Sequence, residues 1–217
     1  LALYTEAARQ NIAMAPIPDW HLNAFGMTQP AAGFTALPAV RTELEGIVGD
    51  EALSGQIWLD EQFTAASLRE AVDRRAPVIH VASHFQFRPG TEVDSFLLLG
   101  DGGRLSLADL REYRFRGLDL LTLSACETAM GGGHNENGRE IEGLGGAALT
   151  RGARSVMATL WPVADASTAQ FMQHFYRTRQ ATPGTTKAQA LQQAQRALIE
   201  GSADAGTDTS AGDTERT

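Results

Sequence analysis

The chain has 217 residues, is 43% hydrophobic and carries a formal net charge of −8 with a single cysteine. That length and apolar content support one domain with a sizeable core. The acidic balance speaks against nucleic acid, which needs a basic stripe, and against an anionic membrane surface. One cysteine can form neither an internal disulfide nor a cysteine-based zinc site, which fits a reducing, cytoplasmic setting.

No apolar stretch approaches the roughly 20 residues of a membrane-spanning helix, and no signal peptide is visible at the start. The chain opens on Leu1 rather than Met. The expectation is a piece of a longer protein, its partner domains cut away.

Residues 1–14 read as a helix stopped by Pro16 and Pro18, and 21–27 as a strand. After a loop, a helix is expected over 38–48 with Pro38 in its first turn, then a short strand at 55–60. Residues 64–75 form an amphipathic pattern with Thr64 as N-cap. "PVIHVAS" (77–83) is β-branched and apolar, the mark of a buried strand. "SFLLLGDGGRLSL" (95–107) reads as two short strands joined at Asp101-Gly102, and 107–115 as a helix. "LDLLTLSA" (118–125) is nearly continuous apolar sequence, as expected of a parallel strand covered on both faces. A helix over 140–153 follows, in which Gly143, Gly145 and Gly146 would allow close packing on the sheet. A strand at 154–161 and helices at 165–180 and 185–201 complete the pattern, with Asp165 as N-cap and Gly201 as C-cap.

This alternation implies an α/β fold, a mainly parallel sheet with helices on both faces, whose chemistry gathers at the carboxyl ends of the strands. Three segments are expected: an N-terminal helix and linker over 1–19, tied to an upstream domain; a globular domain over 20–200; and a Gly/Ser/Thr/Asp-rich tail over 201–217, disordered by composition.

Two strand ends stand out. One delivers His84 just past the strand at 77–83, and the other delivers Cys126 just past the strand at 118–125. If those strands are parallel neighbours, an imidazole and a thiol emerge at one edge. The imidazole then supplies the proton acceptor that a thiol of ordinary pKa needs near neutral pH. A lone Cys is more often a core residue, and a lone His more often structural. On the residues alone, a catalytic pair and two unrelated side chains both stay open. His80, embedded in apolar neighbours, reads as a core residue.

The stretches "VIHVASHF", "SFLLLGDGGRLSLADL", "LLTLSACETAMGGG", "EIEGLGGAALTRGARSVMATLWPVADAST", "FMQHFYR" and "AQALQQAQRAL", in that order, cover roughly 20–200. Together they resemble the CHAT domain, a caspase-like cysteine peptidase module often found beside tetratricopeptide repeats. The resemblance implies a caspase-haemoglobinase-like α/β sandwich. It implies His84 as the catalytic base and Cys126 as the nucleophile, with the backbone N–H groups of Phe85 and Cys126 holding the oxyanion. It implies a protein or peptide substrate, no cofactor and no metal, in a regulated C-terminal module of a larger bacterial protein with an N-terminal repeat or sensor domain.

One departure is visible: the family's usual residue after the His is Gly, and this chain has Phe85. If that position needs φ > 0, Phe adds strain. That departure motivates an alternative, a protein-interaction or scaffold module of the same fold that cleaves little. A hydrolase of small acyl or amide substrates would use the same pair. For substrate binding, Glu127, Trp161 and Asp165 are the candidates, each with a competing structural role. "GGGHNENG" is not a phosphate loop, and His134 and His174 lack partners at metal-site spacing.

Overall fold

The two apolar runs become the central strands of a six-stranded sheet. The structure, a computed structural model, describes residues 2–5, 20–49, 53–86, 88, 93–125, 137–158, 165–181 and 184–201; at 2–5, 125, 137–143 and 165–166 it describes the backbone alone. The strands of this sheet are β1 (Ala2–Thr5), β2 (Leu22–Gly26), β3 (Gly55–Leu59), β4 (Val78–Ser83), β8 (Leu120–Ala125) and β9 (Ser155–Ala158), ordered β1-β9-β8-β4-β2-β3. Five run parallel, and β1 joins antiparallel on β9 with Ala2 opposite Ala158. This corrects the helix expected over 1–14: Ala2–Thr5 is an edge strand, and 6–19 lie outside the described residues. A second, antiparallel sheet of β5 (Phe85–Gln86), β6 (Phe96–Leu98) and β7 (Arg104–Ser106) follows β4 directly. Its β6–β7 turn is the one expected at Asp101-Gly102, with Gly102 at φ 82°.

The helices are α1 (Ala39–Ile47), α2 (Ala65–Asp73), α3 (Leu107–Leu110), α4 (Asn137–Thr150), α5 (Asp165–Ala181) and α6 (Lys187–Ile199). Local signals explain their starts. Thr64 caps α2 by accepting from Ser67 N at 3.1 Å, while Ser67 Oγ accepts from Thr64 N at 2.9 Å. Thr186 and Gln189 make the same reciprocal pair on α6. The helix expected over 107–115 stops at Leu110, because Tyr113 and Phe115 turn inward to a buried cluster and Phe115 N bonds Arg151 O. Gly146 of α4 corrects another expectation: a Cβ there would meet nothing within 4 Å, so it provides no close approach to the sheet.

Helices cover both faces of the sheet. One face packs Phe25, Ile79, Val81, Leu121, Leu123 and Val156 against α2, α3 and α4. The other packs Leu22, Ala24, Val78, Ala82, Leu120 and Met157 against α1, α5 and α6. Each buried aliphatic or aromatic side chain contributes about 1.5–3 kcal/mol, so these layers fix the sheet. At the amino edge, Asp119 accepts from Trp20 Nε1 at 2.9 Å and from Lys187 Nζ at 2.8 Å, tying the start of β8 to α6. Among the described residues, no helix is long and apolar enough to cross a membrane.

The strand order reverses about β2: the chain passes from β2 outward to β3, then back across to β4, β8 and β9. A crevice opens at the carboxyl ends of strands at such a switch point. His84 leaves β4 there.

Candidate active site

The geometry of this edge starts from strand register. In the β4–β8 pair, His80 lies opposite Thr122, Ala82 opposite Ser124 and Ser83 opposite Ala125. In the sequence His84 follows Ser83, and Cys126 follows Ala125. Neighbouring strands lie about 4.8 Å apart, and a peptide bond fixes consecutive Cα atoms at about 3.8 Å. Cys126 itself, with Glu127 and Trp161, lies outside the described residues. Asp165 opens α5 as its first residue, and its side chain is likewise outside the described set.

His84 is 1% exposed. Its Nε2 lies 2.9 Å from the carbonyl oxygen of Thr35. A carbonyl can only accept, so Nε2 carries the proton and donates, which makes Nδ1 the basic nitrogen of the neutral ring. The Phe34 ring sits 5.1 Å from the imidazole, and Phe96 meets Phe34 edge-on at 6.2 Å. These contacts hold the ring in one orientation.

Thr35 and Phe34 belong to the loop between β2 and α1, and that loop is braced. Met27 N bonds Ala82 O at 3.1 Å, one side of β4, and Leu37 N closes the loop on Thr28 O at 3.3 Å. The Asp60 carboxylate, just past β3, accepts from Thr28 N at 2.7 Å, from Thr28 Oγ1 at 2.8 and 2.9 Å, and from Gln29 N at 3.3 Å. Asp60 adopts φ 50°, a left-handed conformation that costs a non-glycine residue energy. Gly100 packs against it so closely that a Cβ would lie 2.2 Å from Asp60 O. A cleft of about 740 Å³ opens beside this brace, lined by Gln29, Arg41, Asp60, Glu61 and Asp101, and His84 does not line it.

Phe85 answers the question its side chain raised. Among the described residues the non-glycine positions with positive φ are Ala32, Asp60 and Arg75, so Phe85 carries no such strain. Its side chain is 5% exposed and packs in the α2–α4 core rather than at the entrance. Leu98 N donates to His84 O, which makes His84 and Leu98 a bonded pair of the antiparallel ladder. The alternation of that ladder then turns the Phe85 N–H away from β6. Ser83 is buried, and its hydroxyl donates to Leu98 O at 2.5 Å, joining the two sheets at the hinge before His84.

Beneath the edge lies a polar network on the α1/α5 face. His80 is fully buried, as the sequence suggested, and its Nε2 donates to Glu43 Oε1 at 2.8 Å. Its Nδ1 lies 3.2 Å from the Tyr176 hydroxyl, which meets Thr122 Oγ1 at 2.7 Å. Ser124 Oγ donates to Glu43 Oε2 over a longer 3.4 Å. Burial pushes the Tyr176 phenol well above its usual pKa, so it stays protonated.

Sequence reasoning missed Thr35, Asp60, Glu43 and Tyr176. One signal was available: Val40, Glu43, Leu44 and Ile47 follow the i, i+3, i+4, i+7 stripe of α1, which puts a carboxylate in an apolar row. Thr35 acts through its backbone, which no side-chain pattern announces. Among the described residues, no cluster of three His, Cys, Asp or Glu side chains is grouped to hold a metal ion.

The comparisons with known proteins agree with this architecture. A family model described as the CHAT domain matches residues 5–212. No curated protein matches the chain.

Proposed function

From a chain that belongs to the CHAT domain family, a caspase-like, peptidase-related group, we propose a cysteine endopeptidase that cleaves protein substrates through His84 and Cys126. The observation that supports this reading is the β4–β8 register, Ser83 opposite Ala125, because His84 and Cys126 are the residues that follow these two in the sequence.

In this reading the Cys126 thiol gives its proton to His84 Nδ1, the nitrogen left basic by the Nε2–Thr35 hydrogen bond. The sulfur attacks the scissile carbonyl carbon. The resulting oxyanion is held by the N–H groups of Phe85 and Cys126, preorganised donors of the kind that lower such barriers by several kcal/mol. The His84 imidazolium then protonates the departing amine as the C–N bond breaks and a thioester remains. Water, deprotonated by His84, attacks the thioester; the acid leaves and the thiol recovers its proton. The inward, unstrained Phe85 supports the enzyme over the non-cleaving scaffold, whose motive was strain at that position. Glu127, Trp161 and Asp165 remain the proposed substrate contacts, and the module is proposed to work beside an upstream repeat or sensor domain.

A peptide-library cleavage profile of the chain, alone and with its native upstream partner, tests the reading. Cleavage that disappears in both Cys126→Ala and His84→Ala supports it. Cleavage at the wild-type rate in Cys126→Ala removes it.

A further inference from the structure

Polar groups in the α1/α5 face stand out because the surrounding layer is apolar. Ala24, Val40, Leu44, Ala82, Met172 and Phe175 line the same cluster. Glu43 is 3% exposed and His80 0%, so neither gains from water. Replacing a buried polar pair by apolar side chains of similar size is often neutral or stabilising. Stability therefore does not explain why the pair is present.

Its location does. Side chains alternate along a strand, so His80 and Ala82 share one face of β4, and Thr122 and Ser124 share the matching face of β8. Glu43 bonds His80 on β4 with one oxygen and Ser124 on β8 with the other. One carboxylate from α1 thus touches both strands, and Ser124 comes two residues before Cys126 in the sequence. Tyr176 of α5 closes the other side of the network by bridging His80 and Thr122, which face each other across the same strand pair. The titratable groups meeting there are Glu43 from α1, His80 from β4 and Tyr176 from α5.

We infer that Glu43 and His80 are positioning residues: they set the relative placement of the β4 and β8 ends, and so the distance between the His84 imidazole and the Cys126 sulfur. This rests on the peptidase reading above for its pair and for the kcat readout, whereas the alkylation readout needs no cleavage. Cys126 is the only thiol, so alkylation by iodoacetamide reports on it alone. Iodoacetamide is uncharged, so altered charge in a variant does not change its local concentration.

The test compares wild type, His84→Ala, Glu43→Met/His80→Leu and Glu43→Gln. We expect the apolar double variant to keep the wild-type melting temperature or exceed it. Its Cys126 alkylation midpoint moves up toward that of His84→Ala, and kcat falls about tenfold at a KM within about twofold of wild type, roughly the 1.4 kcal/mol equivalent of a tenfold change. Glu43→Gln recovers most of that loss, because its Oε1 accepts from His80 and its amide donates to Ser124 Oγ. A folded double variant with the wild-type midpoint and kcat overturns the inference. So does a Glu43→Gln protein as impaired as the double, since the effect would then follow charge rather than placement. If the double does not fold, Ser124→Ala decides: reduced kcat at unchanged KM supports the tether, and unchanged kcat overturns it. A wild-type thiol that titrates as an ordinary one and ignores His84→Ala sinks the pair itself, and this inference with it, a result distinct from the others.

Discussion

On the face under α2, α3 and α4, the sheet contributes Phe25, Ile79, Val81, Leu121 and Leu123 to one apolar cluster, with Ser83 at the end of β4 bonding Leu98 O. On the face under α1, α5 and α6, the same strands contribute His80, Thr122 and Ser124 among their apolar residues, and the helices answer with Glu43 and Tyr176. Burial without polar groups needs only shape and volume. A polar layer needs each donor matched to an acceptor at hydrogen-bond distance, which restricts how the strands sit relative to the helices. Both faces hold the sheet by apolar burial, and the second adds hydrogen bonds that tie α1 and α5 to β4 and β8. The difference teaches that stability and placement can be divided between two sides of one set of strands.

The sharpest way to break this division is at the edge itself. His84→Ala is expected to lower kcat/KM for peptide cleavage by 10³-fold or more, on the order of 4 kcal/mol, while far-UV dichroism and melting temperature stay near wild type. A residual rate within tenfold of wild type would mean that the imidazole is not the base.

Leu123→Ala probes the apolar face. Its buried side chain leaves a cavity, and the expected cost is about 3 kcal/mol in urea unfolding. In the fraction that remains folded, the Cys126 alkylation profile should match wild type. A shifted profile would show that the apolar face also sets the pair and would dissolve the contrast.

Asp60 sharpens the comparison from outside both cores. Asp60→Ala removes the acceptor for Thr28 and Gln29 while leaving the backbone at φ 50°, so a loss of about 2 kcal/mol is expected. Asp60→Gly relieves the left-handed strain and should be less destabilised by about 1 kcal/mol. Equal unfolding midpoints for the two variants would contradict the strain argument.

Much of the sheet could be read from the chain because its central strands are long apolar runs with turn residues at their ends. Residues 78–83 and 120–125 emerged within two positions of their expected limits. Thr64 and Thr186 declared their helices through capping chemistry. The misses have physical causes. Ala2–Thr5 takes its conformation from pairing with β9, a partner far along the chain, and local propensity carries no trace of it. The helix at 107–115 shortened because Tyr113 and Phe115 found a core, a tertiary demand that outweighs helix periodicity. At the site, His84 was legible as a His ending a buried strand, but the partner that orients it is a backbone carbonyl. Glu43 was hidden by habit: a carboxylate in an apolar stripe is easily read as a helix-surface residue until the opposing histidine is located.

The smallest expected effect separates the two faces by pH. Tyr176→Phe deletes the hydroxyl between His80 and Thr122 and nothing else, at a cost of about 1 kcal/mol near neutrality. Burial raises the Tyr176 pKa in the folded protein, whereas in the unfolded chain it titrates near 10. Above pH 10 the native state therefore binds one more proton at this site than the unfolded state does, and stability falls as pH rises. That contribution is intact below pH 10 and is lost above it at about 1.4 kcal/mol per pH unit. Tyr113, whose pKa is also raised chiefly by burial, has the same sign in both proteins and cancels in their difference. Wild type and Tyr176→Phe should thus differ by about 1 kcal/mol at pH 8, and their urea-unfolding curves should converge roughly one pH unit above 10. A constant gap between the two from pH 8 to 11 would show that the phenol ionises as freely in the folded protein as in the unfolded one, and that the polar face is not sealed from solvent.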